Sequence, residues 1–82
     1  MSKEKPEVGD VWINANKDVK VRVMYTFIHE EVLYVAVLIA QLTPNGKWVY
    51  FSAVLREPTF EDFTYLGKSK VNLEELFDVR KD

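Results

Sequence analysis

The chain offers few side chains that could perform acid–base or metal chemistry. His29 is the only histidine, and Glu30 and Glu31 follow it directly. A histidine held by a neighbouring carboxylate can act as a general base or as a metal ligand. A zinc site, however, needs three or four converging nitrogen or sulfur ligands, and the sequence contains no cysteine. The pattern favours a solvated turn at His29 and predicts a non-enzymatic protein with no catalytic residues, no metal and no cofactor.

A second kind of chemistry would be the binding of nucleic acid. Lys17, Lys20 and Arg22 lie on or beside one face of a predicted strand, and Trp12 and Tyr50 could lie nearby. Small β-barrels bind single strands with such basic groups and stacking rings. Eleven basic residues against thirteen acidic ones nevertheless give a net charge of −2, whereas phosphate-binding proteins usually carry a basic excess. Nucleic-acid binding through these three basic residues is therefore the alternative hypothesis.

The elements that must position these groups are predicted to be strands. The 82 residues are 48% apolar and 29% charged, which indicates one folded domain. Two apolar runs, residues 32–42 and 48–55, flank the turn sequence Thr43-Pro-Asn-Gly-Lys47. Neither run alternates apolar with polar residues, so both faces of this hairpin need covering. Proline, asparagine and glycine in this order favour a type I turn closed by a left-handed glycine.

The pairing of this hairpin follows by counting back from Thr43 opposite Lys47. The inner face should consist of the pairs Ile39–Phe51, Val37–Ala53 and Val35–Leu55. The outer face should consist of the pairs Leu42–Trp48, Ala40–Tyr50 and Leu38–Ser52. We expect Trp12, Trp48 and Tyr50 to form an interaction face for a protein partner or a second copy. Packing of these rings under a C-terminal helix is the alternative and stays open at this point.

The remaining elements are shorter. Residues 8–14 predict a first strand, with Val11 and Ile13 on one face and Trp12 on the other. Residues 19–28 alternate without interruption, with the odd-numbered residues from Val19 to Phe27 on one face. A proline then ends the fourth strand, and a helical turn at residues 60–62 and a short strand at 63–66 follow. The final prediction is a short helix capped by Asn72, with Leu73, Leu76 and Phe77 on its apolar side.

The domain boundaries are simple. Residues 1–7 are expected to be a flexible leader, and residues 8–82 one small domain. The charged N-terminus lacks the apolar segment of an export signal, and residues 32–42 are too few to cross a bilayer. These features predict a cytoplasmic protein that does not contact membranes.

Residues 6–12, with the sequence Gly-Asp-Val-Trp at their end, and residues 48–63 resemble small SH3-like β-barrel domains of bacteria and their phages. The resemblance implies an SH3-like topology, a bacterial or phage context and no catalytic residues. We therefore predict a mainly β protein, either a small bent antiparallel sheet or a partly open five-stranded SH3-like barrel with one short C-terminal helix. The predicted function is a non-enzymatic protein–protein interaction module, such as a phage or prophage accessory protein that binds a host factor or self-associates.

Overall fold

Five antiparallel strands and one short 3₁₀ helix make up the described part of the chain. The structure is a computed structural model, which describes residues 5–69. Valine and the aromatic residues dominate these segments, and such side chains fit a pleated, half-buried surface. The mainly β prediction is confirmed. The strands are β1 (Asp10–Asn14), β2 (Val19–His29), β3 (Val32–Leu42), β4 (Trp48–Arg56) and β5 (Phe63–Lys68).

The strands form one open sheet with the order β4-β3-β2-β1-β5. Each of the first three strands pairs with the next, and β5 returns to pair with β1. Among the strands of residues 5–69, β4 and β5 are therefore the edges of the sheet. Because β1 pairs only with residues 20–22 of β2, the far end of the β2–β3 hairpin extends beyond β1.

The turn between β3 and β4 has the predicted geometry. Gly46 has a φ of 82° and donates its N–H to the carbonyl of Thr43 at 2.9 Å. The N–H of Thr43 donates in turn to the carbonyl of Lys47 at 2.7 Å. This turn sets the register, and all six predicted cross-strand pairs are confirmed, from Leu42–Trp48 to Val35–Leu55.

The core lies on one side of the sheet, which we call the inner face. On β4, Ala53 and Leu55 pack against this core as predicted, whereas Phe51 is 45% exposed. The hairpin is thus covered along β3 and left open at the turn end of β4. The buried members of the core are Trp12, Val21, Val23, Val35, Val37, Ile39 and Phe60.

A β-bulge in β2 exchanges the two faces of this strand. Val23 pairs with Val37, but Tyr25 pairs with Ala36, so Met24 is an extra residue in the ladder. One extra residue moves every following side chain to the opposite face, since the side-chain period of a strand is two. The uninterrupted alternation predicted for residues 19–28 is therefore wrong beyond Val23.

Beyond the bulge, the odd-numbered residues of β2 lie on the outer face. Phe27 lies opposite Tyr34, and Ile28 lies opposite Leu33 on the inner side. Tyr25 and Phe27 are 57% and 39% exposed, so their predicted place beside the core valines is corrected. The bulge is what brings these two rings to the surface.

Two residues with left-handed backbone connect β2 to β3. Glu30 and Glu31 have φ values of 50° and 68°, and His29 pairs with Val32. Positive φ at both central positions is typical of the type I′ turn, which Asn-Gly favours. The predicted short turn is confirmed, but its residue types are poorly suited to its conformation.

Trp12 is a core residue. Its side chain is 4% exposed, and the ring of Phe60 packs against it edge-on with centroids 5.3 Å apart. Tyr65 contacts the same indole ring at 5.4 Å. The prediction that Trp12 shares an outer face with Trp48 and Tyr50 is wrong, because aromatic rings from the 3₁₀ helix and β5 cover this side of β1.

The segment after β4 follows the sequence-based expectation. The predicted helical turn is present as a 3₁₀ helix, Glu57–Asp62, with Pro58 at its start, and the predicted short strand is β5. The predicted C-terminal helix with Asn72, Leu73, Leu76 and Phe77 lies outside the described residues.

Candidate interaction surface

The outer face of the sheet carries a set of large apolar side chains that reach solvent. Tyr25, Tyr50 and Val54 are 57%, 61% and 54% exposed. Monomeric soluble proteins rarely expose contiguous apolar patches of this kind unless the patch binds something. We call this set the outer aromatic surface; its members are Tyr25, Phe27, Tyr34, Trp48, Tyr50 and Val54.

Cross-strand pairing makes this surface continuous across β2, β3 and β4. Tyr25 lies opposite Ala36, and Ala36 lies opposite Val54. The next row places Phe27 opposite Tyr34. In the first of these rows, the small and buried Ala36 of the central strand separates two larger exposed side chains.

The rings at the β2–β3 end contact one another. Phe27 and Tyr34 stack with centroids 5.4 Å apart and an interplanar angle of 16°, and Tyr25 lies 6.1 Å from Phe27. Aromatic pairs in such arrangements contribute beyond the area that they bury. A partner would therefore meet ordered rings, and aromatic residues in rigid positions are common anchors of protein–protein interfaces.

Trp48 and Tyr50 lie at the other end of the surface, on β4. Trp48 is 37% exposed, and the ammonium of Lys20 lies 5.8 Å from the centroid of its indole ring, within range of a cation–π interaction. The structure thus places two of the three predicted interaction residues on the outer face. They share this face with Tyr25 and Phe27, with the cross-strand row of Arg22, Leu38 and Ser52 between the two groups, and they do not share it with Trp12.

Tyr25 and Phe27 are the surface residues that sequence reasoning missed. The odd-numbered positions of β2 read as a single apolar face, so both rings were expected on the same face as Val21 and Val23. The available signal was on the even-numbered face, which begins with Lys20 and Arg22 and ends with the apolar Ile28. A face that changes character midway along a strand is what a bulge produces.

The basic residues of the alternative hypothesis are not equivalent. Lys17 is exposed in the β1–β2 turn, where its φ is 60°. Arg22 is only 8% exposed, and its Nε donates to the hydroxyl of Ser69 at 2.6 Å. Its Nη1 lies 3.0 Å from the sulfur of Met24. Lys20 and Lys17 can reach a polyanion, whereas Arg22 is engaged within the protein.

The sequence predicts His29 within a solvated turn, whereas the structure makes it the exposed last residue of β2, next to the turn at Glu30 and Glu31. Its Nε2 is 3.9 Å from a carboxylate oxygen of Glu30, and both side chains are largely exposed. Within residues 5–69, no group of three His, Cys, Asp or Glu side chains is placed to hold a metal ion.

An open depression lies on the inner side of the β2–β3 end. Ile28, Leu33 and Pro58 contribute apolar surface to it, and Lys5 and Glu31 are among the charged residues at its rim. The charged residues that line this depression are of both signs, so they do not favour one class of ligand.

The comparisons with known proteins identify no relative. No family model matches the chain, and no curated protein or solved structure matches it either. Across the described residues there is no helix with the length and apolar character needed to cross a membrane. A functional assignment therefore depends on the geometry of the outer face itself.

Proposed function

We propose that this protein is a non-enzymatic protein–protein interaction module that acts in the cytoplasm and binds its partner through the outer aromatic surface. The observation that carries the proposal is the exposure of Tyr25, Phe27 and Tyr50 on one continuous sheet face. Burying a large aromatic side chain is worth roughly 1.5–3 kcal/mol. Several such side chains held by a rigid sheet supply the central anchors that a specific interface needs.

The topology supports an SH3-like arrangement as part of this proposal. Four strands form a meander, a 3₁₀ helix follows β4, and β5 pairs back with β1. We propose that the sheet is a partly open barrel of this kind, and that the protein is a phage or prophage accessory factor with a bacterial host protein as its partner. Both points extend the resemblance seen in the sequence.

Site-specific photocrosslinking tests the proposed surface. A benzophenone amino acid is placed at Phe27 in one variant and at Ile28 in another, and each protein is incubated with nuclease-treated bacterial lysate. These neighbours lie on opposite faces of the same hairpin, and Ile28 is the more exposed at 72%. We expect a discrete protein adduct from position 27 and none from position 28, because only the first side chain faces the partner.

A competition experiment supplies the control. Unlabelled wild-type protein should abolish the adduct, the double variant Tyr25→Ser, Phe27→Ser should fail to compete, and Ile28→Ser should compete like the wild type. Equal labelling from both positions, or full competition by the double variant, would refute the outer aromatic surface as the binding site.

Binding of single-stranded nucleic acid is the second candidate function, and one contact favours it. Lys20 and Trp48 together present a cation and a ring on the outer face, with 5.8 Å between the ammonium and the ring centroid. A salt titration with a fluorescent oligonucleotide tests it, since each neutralised phosphate steepens the logarithmic salt dependence by about 0.7 for a single strand. Lys20→Gln should weaken binding and Arg56→Gln should not. No binding at low salt would exclude this candidate.

A further inference from the structure

The edge strand β4 is unusually exposed for its composition. Its nine residues contain no proline or glycine, and their only charged residue is Arg56 at the end. Every residue of β4 except Ala53 and Leu55 is exposed. Natural edge strands are usually short, charged or interrupted, because an open apolar edge pairs with other strands. The other edge, β5, follows that rule with six residues that include Gly67 and Lys68.

The hydrogen-bond pattern of the β3–β4 hairpin shows which backbone groups point outward. Thr43 donates its N–H to the carbonyl of Lys47, so these two residues form a hydrogen-bonded pair. Such pairs alternate along an antiparallel ladder. The next pair, Leu42 and Trp48, is accordingly not bonded, and Leu42 donates instead to Asp18 on the other side at 2.8 Å. The even-numbered residues of β4 therefore direct their N–H and C=O groups away from β3.

We propose that β4 pairs antiparallel with β4 of a second copy, about a two-fold axis at Ser52. Ser52 then faces its own copy, Trp48 faces Arg56, and Tyr50 faces Val54. This register brings outward-directed even-numbered residues opposite each other, as hydrogen bonding requires. It also pairs all nine residues of the strand, whereas a shift of the axis in either direction leaves one end of β4 unpaired.

The side chains of this register are complementary in size and charge. On the outer face, the guanidinium of Arg56 lies beside the indole of Trp48 from the second copy, a cation–π arrangement. On the inner face, the bulky ring of Phe51 lies opposite the small side chain of Ala53. Like charges do not face each other at any position. A strand of unrelated sequence would not in general provide these pairs of complementary size and charge. The strand that fits this edge is therefore β4 of a second copy of the chain.

The expected association is weak. The exposed side chains and backbone edge of two β4 strands amount to an interface on the order of 1,000 Å², the lower limit for a specific contact. The inference rests on the proposed interaction function and adds a protein partner to it, namely the same chain. The resulting dimer would have one continuous ten-stranded sheet, with two outer aromatic surfaces on the same side.

Sedimentation equilibrium over a wide concentration range tests the association. We expect a reversible monomer–dimer equilibrium for the wild type. Ser52→Lys should weaken it at least about tenfold, because two lysines would face each other across the axis. Thr64→Lys is the matched control, since Thr64 is an exposed hydroxyl residue of the opposite edge strand, and it should leave the equilibrium unchanged. A wild-type protein that stays monomeric at several hundred micromolar overturns the proposal.

Single-cysteine variants test the register, because the chain has no cysteine of its own. Residues that form a hydrogen-bonded pair have Cα atoms about 5.5 Å apart, which a disulfide can span. Ser52→Cys should therefore oxidise to a covalent dimer. Val54→Cys should not, since the two copies of that residue lie about 14 Å apart along the strands. A mixture of Tyr50→Cys and Val54→Cys proteins should give the heterodimer. A covalent dimer of Val54→Cys alone overturns the register.

The two proposals fail independently. If Ser52→Lys still gives the Phe27 photoadduct while the wild type is monomeric, β4 pairing is wrong and the outer aromatic surface is retained. If the dimer forms in the predicted register but the double variant Tyr25→Ser, Phe27→Ser competes fully for the adduct, the outer aromatic surface is not the binding site and the pairing of β4 is retained.

Discussion

Tyr25 lies directly opposite Ala36, one position out of step with the pairs that precede it in β2. Because of this shift, the side chains of Tyr25 and Phe27 lie on the outer face of the hairpin, where they are exposed to solvent. Without the extra residue at Met24, Tyr25 would continue the line of core valines, and the outer face would lose the rings of Tyr25 and Phe27 near the hairpin end. The candidate interaction surface is therefore a consequence of one β-bulge.

The first prediction compares substitutions on the two sides of the bulge. Val23 is 0% exposed and Tyr25 is 57% exposed, although both are odd-numbered residues of the same strand. Val23→Ala should lower the free energy of unfolding by about 1.5–3 kcal/mol, because it removes buried methyl groups and leaves a cavity. Tyr25→Ala should lower it by less than about 1 kcal/mol. Urea unfolding measures both values, and equal losses would contradict the exchange of faces.

The second prediction concerns the turn between β2 and β3. Glu30 and Glu31 have left-handed backbone conformations, which cost about 1–2 kcal/mol for ordinary L-residues. The double substitution Glu30→Asn, Glu31→Gly introduces the pair that a type I′ turn favours. It should raise the free energy of unfolding by about 1–2 kcal/mol.

A reverse substitution at the other hairpin serves as the control for that prediction. A Cβ added at Gly46 would meet no atom within 4 Å, yet the φ there is 82°. Gly46→Ala should therefore destabilise the protein by about 1 kcal/mol through backbone conformation alone. A neutral result at both turns would show that turn conformation does not limit the stability of this sheet.

The third prediction concerns Asp10, which anchors the entry to β1. Its carboxylate is 0% exposed, accepts the backbone N–H of Glu7 at 2.7 Å and lies 2.8 Å from the ammonium of Lys68. Lys68→Met should lower the free energy of unfolding by about 3–5 kcal/mol, because it leaves the fully buried carboxylate of Asp10 charged and without this cation. Asp10→Ala should lower it by only about 1–3 kcal/mol, because the N–H of Glu7 loses its acceptor while the half-exposed ammonium of Lys68 stays in contact with water. Urea unfolding measures both values, and a larger loss from Asp10→Ala than from Lys68→Met would contradict this interpretation.

The sequence predicted the β3–β4 hairpin down to individual pairs, because local chemistry determines it. Gly46 can adopt the left-handed conformation at no steric cost. The turn then places Thr43 opposite Lys47, and this pair fixes the register of β3 and β4. The placement of Trp48 and Tyr50 on the outer face followed from the same count.

The bulge and the place of Trp12 could not be obtained in this way, because both are settled by non-local packing. No glycine marks the extra residue at Met24, and the change along the even-numbered face, from Lys20 and Arg22 to Ile28, does not show at which residue the pairing shifts. Trp12 has a polar group and a large surface, so its ring suits an exposed face or a core equally well. The burial of Trp12 depends on Phe60, which lies in the 3₁₀ helix, far from Trp12 in the sequence.

The last prediction concerns the indole N–H of Trp12. Nε1 is buried, and within the described part of the chain it has no hydrogen-bond partner. A buried donor without an acceptor costs about 1–3 kcal/mol. Trp12→Phe removes that donor and keeps an aromatic ring against Phe60 and Tyr65, so the loss of one ring is partly offset. We expect a net loss of less than about 2 kcal/mol for Trp12→Phe.

Trp12→Ala provides the reference, because it removes the whole side chain and should cost about 3–5 kcal/mol. The Trp12→Phe protein also retains Trp48 as its single tryptophan, so its fluorescence should be that of a partly exposed indole open to iodide quenching. If Trp12→Phe is as destabilising as Trp12→Ala, the N–H of Trp12 makes a stabilising contact and the indole is a polar anchor of the core. If the two values separate as expected, the position demands only an aromatic ring that Phe60 can meet edge-on.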